Sequence, residues 1–257
     1  SNWGWHSFPN AGDYTLQDAA RTFAACDGRE VPYAPQHKEG RAGEATNWLR
    51  SNPHRLHLGL IGLVFTKSDG TEAGIQDLKN IRQELDLWTG KLESRYEVEG
   101  QPVTVELYCH QDQDVIAVRV ESPLIEAGRL KVRFRFPYGK DCHVCPGYDW
   151  DHPEKHRTTW NSERGKIIVI GRELDSTQYF VELIGNGGRL YQSGDHVIEI
   201  MREKEQETFE FSVFFGPDKV AFKIPDFDEV RINNERKWAN FWNSGGAVDF
   251  SACTDPR

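Results

Sequence analysis

Leu130-Lys131-Val132-Arg133-Phe134-Arg135-Phe136 alternates apolar and basic residues without a break. Successive side chains on a strand point to opposite faces. Leu130, Val132, Phe134 and Phe136 therefore line one face, and Lys131, Arg133 and Arg135 the other. A helix would spread the three cations around its circumference, whereas a strand with one buried face leaves all three in water. The stretch predicts a half-buried β-strand.

The segments around it have the same character. Val115–Glu121 carries Val115, Ala117, Val118 and Val120. Lys91–Glu99 and Pro102–His110 flank Gly100-Gln101, a two-residue hairpin signal. Lys166–Gly171, Gln178–Ile184, His196–Met201 and Thr208–Gly216 follow downstream. Upstream, His57–Phe65 is an apolar run and Glu84–Trp88 alternates. Gly139, Gly147, Gly165, Gly187-Gly188 and Gly194 punctuate the series. About nine strands at such spacing predict an all-β fold, a large antiparallel sandwich. With few helices between strands, a parallel α/β sheet is excluded.

The two ends read differently. Residues 1–53 are loop-rich, with Pro9, Pro32, Pro35 and Pro53 and a short helix expected over Leu16–Ala25. After Pro225, Phe227, Val230, Trp238, Phe241 and Trp242 recur at helical spacing, with Asp226, Asp228 and Glu229 at the end where the helix dipole favours acids. Ser244-Gly245-Gly246 stops this helix. The expected organisation is a sandwich over 1–225 and a helical segment over 226–257.

Composition narrows the function. The chain has 257 residues, 31 basic and 40 acidic, for a net charge of −9. Phosphates would meet an acidic field, which argues against nucleic acid and anionic membranes as partners. No apolar run approaches the ~20 residues that span a bilayer. The first residue is Ser1 rather than Met, as expected of a processed or excised piece. Eight Trp against one Met suit a carbohydrate-handling surface, since indole faces stack on sugar C–H faces; the alternative is that they fill a large core.

Five cysteines, at 26, 109, 142, 145 and 253, do not describe a disulfide framework. Cys142-x-x-Cys145, with His152 and His156 downstream, has the ligand types of a zinc site. The gap from Cys145 to His152 is shorter than a finger loop, however, and a local disulfide or two free thiols are the competing readings. The expected compartment leans to secreted. No cofactor is expected, since no phosphate-binding glycine loop occurs, and without a G-x-S-x-G elbow nucleophilic catalysis through Ser or Cys has no support in the sequence.

Three clusters carry possible chemistry. Asp149-Trp150-Asp151-His152 joins an indole to two acids, in a setting of turn residues. In Asn52-Pro53-His54-Arg55-Leu56-His57-Leu58-Gly59, an extended backbone sends Arg55 and His57 one way and His54 and Leu56 the other. Arg55 and His57 could grip sugar hydroxyls or a carboxylate, or fix the strand in a buried network. Trp3-Gly4-Trp5-His6-Ser7-Phe8-Pro9-Asn10 places two indoles on one face of a strand, a platform for a sugar ring.

The last two stretches, with Leu87-Trp88-Thr89-Gly90, Phe136-Pro137-Tyr138, Arg172-Glu173-Leu174-Asp175 and Cys253-Thr254-Asp255-Pro256-Arg257, resemble the N-terminal part of six-hairpin glycosidases related to glycoside hydrolase family 65, the maltose and trehalose phosphorylase group. The resemblance implies a supersandwich of the galactose mutarotase-like kind. In such proteins a linker helix, matched here by Asp226–Trp242, leads to a catalytic (α/α)6 barrel, so that 226–257 would hold the linker and the start of a barrel these residues do not include, and strands are implied upstream of Ser1. It implies an oligosaccharide substrate, with Trp3, Trp5 and His6 at the rim of the cleft and Arg55 and His57 at the interface between sandwich and barrel. It assigns no role to Cys142 and Cys145 and no catalytic residue to this chain. The first expectation is thus an accessory sandwich that shapes a barrel's cleft. A stand-alone carbohydrate-binding module is the second. A mutarotase-like epimerase is the third, drawing its acid and base from His143, His152 and His156 near Asp149 and Asp151.

Overall fold

A computed structural model describes residues 4–36, 39–163, 167–202, 206–248 and 250–255. The chain opens with strand β1 (Gly4–His6), helix α1 (Leu16–Ala19), strands β2 (Arg21–Ala24) and β3 (Glu30–Tyr33), helix α2 (Gly40–Ser51) and strand β4 (His54–Leu56). The body follows: β5 (Leu60–Phe65), β6 (Leu78–Asp86), β7 (Lys91–Val98), β8 (Gln101–Cys109), β9 (Val115–Glu121), helix α3 (Pro123–Glu126) and β10 (Leu130–Arg135). Then come β11 (His156–Glu163), β12 (Ile167–Leu174), β13 (Thr177–Gly185), β14 (Arg189–Gly194), β15 (Val197–Met201), β16 (Thr208–Gly216) and helix α4 (Phe227–Phe241).

The fold is an all-β sandwich. One sheet has eight antiparallel strands in the order β11-β12-β13-β16-β9-β8-β7-β6, and the facing sheet has four, β14-β15-β10-β5. The Leu130–Arg135 strand behaves as its alternation demands. Leu130, Val132 and Phe134 are buried in the common core, where the Phe134 ring lies edge-on to Phe211 of the larger sheet at 6.5 Å. On the outer face Arg133 and Lys131 reach Glu199 at 2.6 and 3.4 Å. Glu199 is itself buried and accepts from the Tyr191 hydroxyl at 2.6 Å, so the alternate face is an ion-pair network rather than bare solvent.

A third layer lies on the outer face of the larger sheet. Tyr108, Val115, Ala117 and Phe214 point away from the main core and are covered by Phe227 and Val230 of α4. The Asp226 carboxylate accepts from the Glu229 N–H and Glu229 returns the bond, the reciprocal cap that the local sequence announces. The helix continues as one π-helical turn over Trp242–Gly246, where Gly245 adopts φ +97° and ends it.

Several expectations need correction. The helix expected over Leu16–Ala25 stops at Ala19, because Arg21–Ala24 pairs antiparallel with Glu30–Tyr33. The β7–β8 turn is Glu99-Gly100, one residue earlier than Gly100-Gln101, with positive φ at both positions as that tight turn requires. The Lys166–Gly171 strand begins on residues outside those described; its described part runs on to Leu174.

Candidate functional site

β1 and β4 form a two-stranded ribbon that pairs Gly4 with Leu56, Trp5 with Arg55 and His6 with His54. Pairing puts Trp5 and Arg55 on one face, and both are exposed, Trp5 by 63%. His6, His54 and Leu56 face inward and are buried. The ribbon is anchored by Asn52, which follows α2: its side-chain oxygen accepts from the Phe8 N–H at 2.7 Å and its amide donates to the Trp48 carbonyl at 3.0 Å. Trp3 lies outside the described residues.

His57 follows on the Arg55 side of the chain. Its N–H donates to the Gly147 carbonyl at 2.7 Å, which lays the 139–152 loop along β4. A Cβ at Gly147 would stand 2.5 Å from the Arg55 carbonyl oxygen, so only glycine permits this approach. The loop delivers two aromatic rings to His57, Tyr148 at 5.9 Å and Trp150 at 6.1 Å, and Arg135 stacks over Trp150 at 4.6 Å. Trp5, Arg55, His57, Tyr148 and Trp150 thus form an aromatic and cationic ledge at one end of the sandwich. Burial holds the His57 pKa below the ordinary value, so its ring is neutral at pH 7.

Beneath the ledge lies a buried polar network. The His6 Nε2 meets Asp175 at 3.0 Å and Nδ1 meets the Thr177 hydroxyl at 2.8 Å. Tyr138 donates to the same Asp175 carboxylate at 2.5 Å. Burial lowers the His6 pKa against the pull of Asp175, and burial with Asp175 raises that of Tyr138. His6 is only 1% exposed, which corrects its reading as a cleft-rim contact: it fixes β1 to the β12–β13 hairpin instead.

Arg172, fully buried, is the second centre. It donates to the Arg157 carbonyl at 3.0 Å, the Pro137 carbonyl at 3.2 Å, His156 Nδ1 at 2.6 Å and the Thr158 hydroxyl. No carboxylate pairs with it among the described residues; carbonyls and neutral imidazoles satisfy the charge. Thr158 in turn donates to His196 Nδ1 at 2.6 Å, and His196 Nε2 donates to the Pro153 carbonyl at 2.8 Å. The two imidazoles stack 3.7 Å apart. Burial first, then Arg172 and His196, push the His156 pKa down to about 3.

A cavity of about 50 Å³ adjoins this network, lined by Arg135, Asp149, Trp150, His156, Asp195 and His196. Small-molecule sites run to ~300–1,000 Å³, so the cavity has room for water but not for a hexose. That cavity therefore gives the His156 end of the cluster no room to turn a hexose over. The groups expected of an epimerase are otherwise engaged: His152 bonds Asp149 at 2.8 Å, His156 bonds Arg172, and His143 meets Arg50 at 2.9 Å. Burial opposes the Asp149 charge, but the Asp151 N–H and His152 outweigh it and lower the pKa.

Cys142 and Cys145 are joined in a disulfide, which decides among the open readings of that pair. Disulfide sulfurs are not thiolates, so the zinc reading with His152 and His156 is corrected here. No group of three His, Cys, Asp or Glu among the described residues is placed to hold a metal.

Two residues of the network, Tyr138 and Asp175, carried no individual role in the sequence reading. Their signal was collective. The stretches around His6, His54, Tyr138, Arg172 and Asp175, far apart in sequence, converge on one end of the sandwich.

A second exposed surface lies where α4 meets the β6–β7 corner. Trp242 stacks on Trp238 at 5.7 Å and approaches Trp88 at 5.3 Å, and its indole N–H donates to the Leu87 carbonyl at 2.8 Å. Trp88 and Phe241 remain 64% and 50% exposed.

The sequence matches no protein-family model, and no curated protein matches it. Solved structures do. A bacterial glucoamylase complexed with acarbose superposes with a TM-score of 0.50 at 12% identity, over 76% of this chain and 33% of that one. A putative kojibiose phosphorylase from the human microbiome aligns over 72% of this chain and 28% of its own, at 11% identity and a TM-score of 0.35. The chain therefore spans about a third of the length of these structures. At such identity the glucoamylase likeness shows the fold alone, a sandwich of the kind found within that larger protein.

Proposed function

We propose that the chain is the accessory β-sandwich of a carbohydrate-active enzyme, packing on a catalytic (α/α)6 barrel and contributing one rim of its substrate cleft. The observation that carries this reading is the aromatic corner of Trp88, Trp238, Phe241 and Trp242 beside the C-terminal helix. The exposed area of Trp88 and Phe241 represents on the order of 5 kcal/mol of available burial, an unusual liability for a surface without a partner. The fold likeness to one part of a glucoamylase supports the same reading. The chain alone is expected to neither hydrolyse nor phosphorolyse maltose or trehalose; turnover of either overturns the proposal. Added (α/α)6 barrel should shield the corner indoles from acrylamide quenching, and Trp88→Ala should weaken that protection.

The ledge favours a second reading, an independent carbohydrate-binding module. Trp5 and Arg55 stand exposed on one face, with Tyr148 and Trp150 on the adjoining loop. Titration with maltooligosaccharides, followed by tryptophan fluorescence, separates the two. Saturation abolished by Trp5→Ala favours a module, and a flat response favours the accessory role.

A further inference from the structure

The loop that delivers Tyr148 and Trp150 to the ledge has almost no apolar anchor. Between Lys140 and His152 only Gly147 and Asp149 are buried, and neither brings an apolar side chain to the core; Val144 is 80% exposed. Polar contacts hold the loop instead. Tyr138 and Asp149 close its base with two backbone bonds of 2.9 and 2.7 Å. Arg50 of α2 donates to His143 Nε2 at 2.9 Å, and the His57 N–H, just past β4, donates to the Gly147 carbonyl at 2.7 Å. Segments with so few buried apolar contacts open at low free-energy cost.

The Cys142–Cys145 disulfide sits between these two anchors. His143, tied to α2, lies inside the bridged turn. Gly147, tied to the end of β4, lies two residues past Cys145, with Pro146 and its fixed φ between them. The Cys145 N–H donates to the Cys142 carbonyl at 3.2 Å, so without the bridge one backbone bond would hold the turn. A bridge over three residues restricts the unfolded chain little. Its effect therefore falls on the loop rather than on the fold as a whole. Cys26, Cys109 and Cys253 are free, which leaves this pair as the one disulfide among the described residues. Both bridged cysteines are half-buried, and His143 and Val144 between them are exposed, so an external thiolate approaches from the solvent side.

We propose that Cys142–Cys145 is a thiol–disulfide exchange site that sets the ledge. Oxidised, it holds Tyr148 and Trp150 against His57; reduced by a dithiol, small or protein-borne, it releases them. One thiolate of the dithiol attacks a bridge sulfur, forming a mixed disulfide and expelling the other cysteine as a thiolate, which takes up a proton. The second thiol of the reductant, deprotonated, then displaces the remaining cysteine. The products are two protein thiols and a cyclic disulfide, two electrons and two protons having passed from the dithiol to the bridge. The Gly147 carbonyl then leaves the His57 N–H.

The test treats the whole chain with dithiothreitol. The thiol count of the folded protein should rise from three to five while far-ultraviolet circular dichroism stays unchanged. Amide exchange at His57 should accelerate by at least about tenfold, equivalent to ~1.4 kcal/mol, with exchange at Val132 in the core unaltered. Reoxidation should restore both. Cys142→Ser with Cys145→Ser should exchange at His57 as the reduced chain does and ignore dithiothreitol. If that variant fails to fold, the native chain decides. A count that stays at three in the folded protein overturns the proposal, and so does a count of five with His57 exchange unchanged. Global unfolding on reduction, or a response to dithiothreitol that survives in the double variant, also overturns it. None of these outcomes depends on whether a barrel or a sugar binds.

Discussion

The Arg172 guanidinium donates to Nδ1 of His156 at 2.6 Å, and this bond sets the protonation of the imidazole. A guanidinium only donates and stays charged at any accessible pH, so Nδ1 must present its lone pair and the ring proton sits on Nε2. Protonating Nδ1 would set two cations face to face in a site that also holds His196, stacked at 3.7 Å. Arg172 and His156 belong to strands paired as neighbours, with His156 opposite Leu174 and Arg172 opposite Thr158, and the contact joins them diagonally.

Stability is therefore expected to fall as the pH drops below neutral. The unfolded imidazole titrates near 6.5 and the folded one near 3, so between those values the unfolded chain binds a proton that the folded chain refuses. Stability from His156 is full above pH 6.5 and is lost on the way down, at up to ~1.4 kcal/mol per pH unit. His6 and His196, also lowered by burial, act in the same direction. Denaturant midpoints at pH 7 and pH 5 measure the slope. His156→Gln keeps an acceptor for Arg172 and should make the slope shallower.

Arg172→Met should be more damaging than its conservative volume suggests. It takes the donor away from the Arg157 and Pro137 carbonyls and His156 Nδ1 at once, and leaves the Thr158 hydroxyl with His196 alone, around a side chain that is itself fully buried. Each buried acceptor left without its donor costs about 1–3 kcal/mol. The second readout is spectroscopic: without the cation, the His156 pKa should rise, as followed by histidine proton shifts in NMR. An unchanged titration would show that burial alone holds it down.

The alternation of Leu130–Phe136 was enough to place a strand because burial differs between its two faces, and period two records that difference. The same logic found β7, β8, β9, β13 and β16. It failed for β11, His-Arg-Thr-Thr-Trp-Asn-Ser-Glu, an edge of the larger sheet that carries almost no apolar residue. It also failed for β14, the other sheet's edge, and for α2, whose buried positions are Gly43, Ala45, Thr46 and Ser51. Small or polar residues give periodicity no contrast to report. The site was half legible: Arg55 and His57 diverge from His54 and Leu56 as an extended chain requires. The bonds from His6 to Asp175 and from Arg172 to Pro137 were not, because 169 and 35 residues separate the partners and only the assembled sheets bring them together.

Thiol titration of the native protein should find three reactive cysteines, since Cys26, Cys109 and Cys253 are free and exposed while Cys142 and Cys145 are bonded. Reduction and unfolding should raise the count to five. Closing so short a loop restricts the unfolded chain little, so the bridge is worth about 2 kcal/mol on the chain-entropy account. Cys142→Ser with Cys145→Ser should lower stability by no more than that. Uptake of zinc by the reduced protein would contradict the arrangement described here.

Gly147→Ala tests how the ledge is built. The new methyl group would meet the Arg55 carbonyl, which is backbone and cannot swing aside. The loop must lift, breaking the bond from the His57 N–H to the Gly147 carbonyl and carrying Tyr148 and Trp150 off His57. A loss of about 1–3 kcal/mol is expected, with a changed near-ultraviolet circular dichroism signal from the displaced rings. Any maltooligosaccharide binding at the ledge should weaken in parallel, whereas a ledge with no ligand would register only the stability loss.

Asn234→Leu probes the docking of α4 on the larger sheet. Asn234 is 1% exposed; its amide donates to the Thr89 carbonyl and its oxygen accepts from Gln111 at 2.8 Å. Leucine has nearly the same shape but donates nothing to the Thr89 carbonyl, which loses its partner at about 1–3 kcal/mol, while the exposed Gln111 amide keeps its bond to the Cys109 carbonyl. Thr89 belongs to the same turn as Leu87 and Trp88, which hold the Trp242 indole. Loosening that turn should expose Trp242 and Trp88 to acrylamide. Asp226→Ala, at the opposite end of α4, serves as the comparison: losing the cap costs ~1 kcal/mol and should leave tryptophan quenching unchanged. Equal quenching in the two variants would mean that α4 docks as one rigid unit, and that Asn234 does not set the aromatic corner.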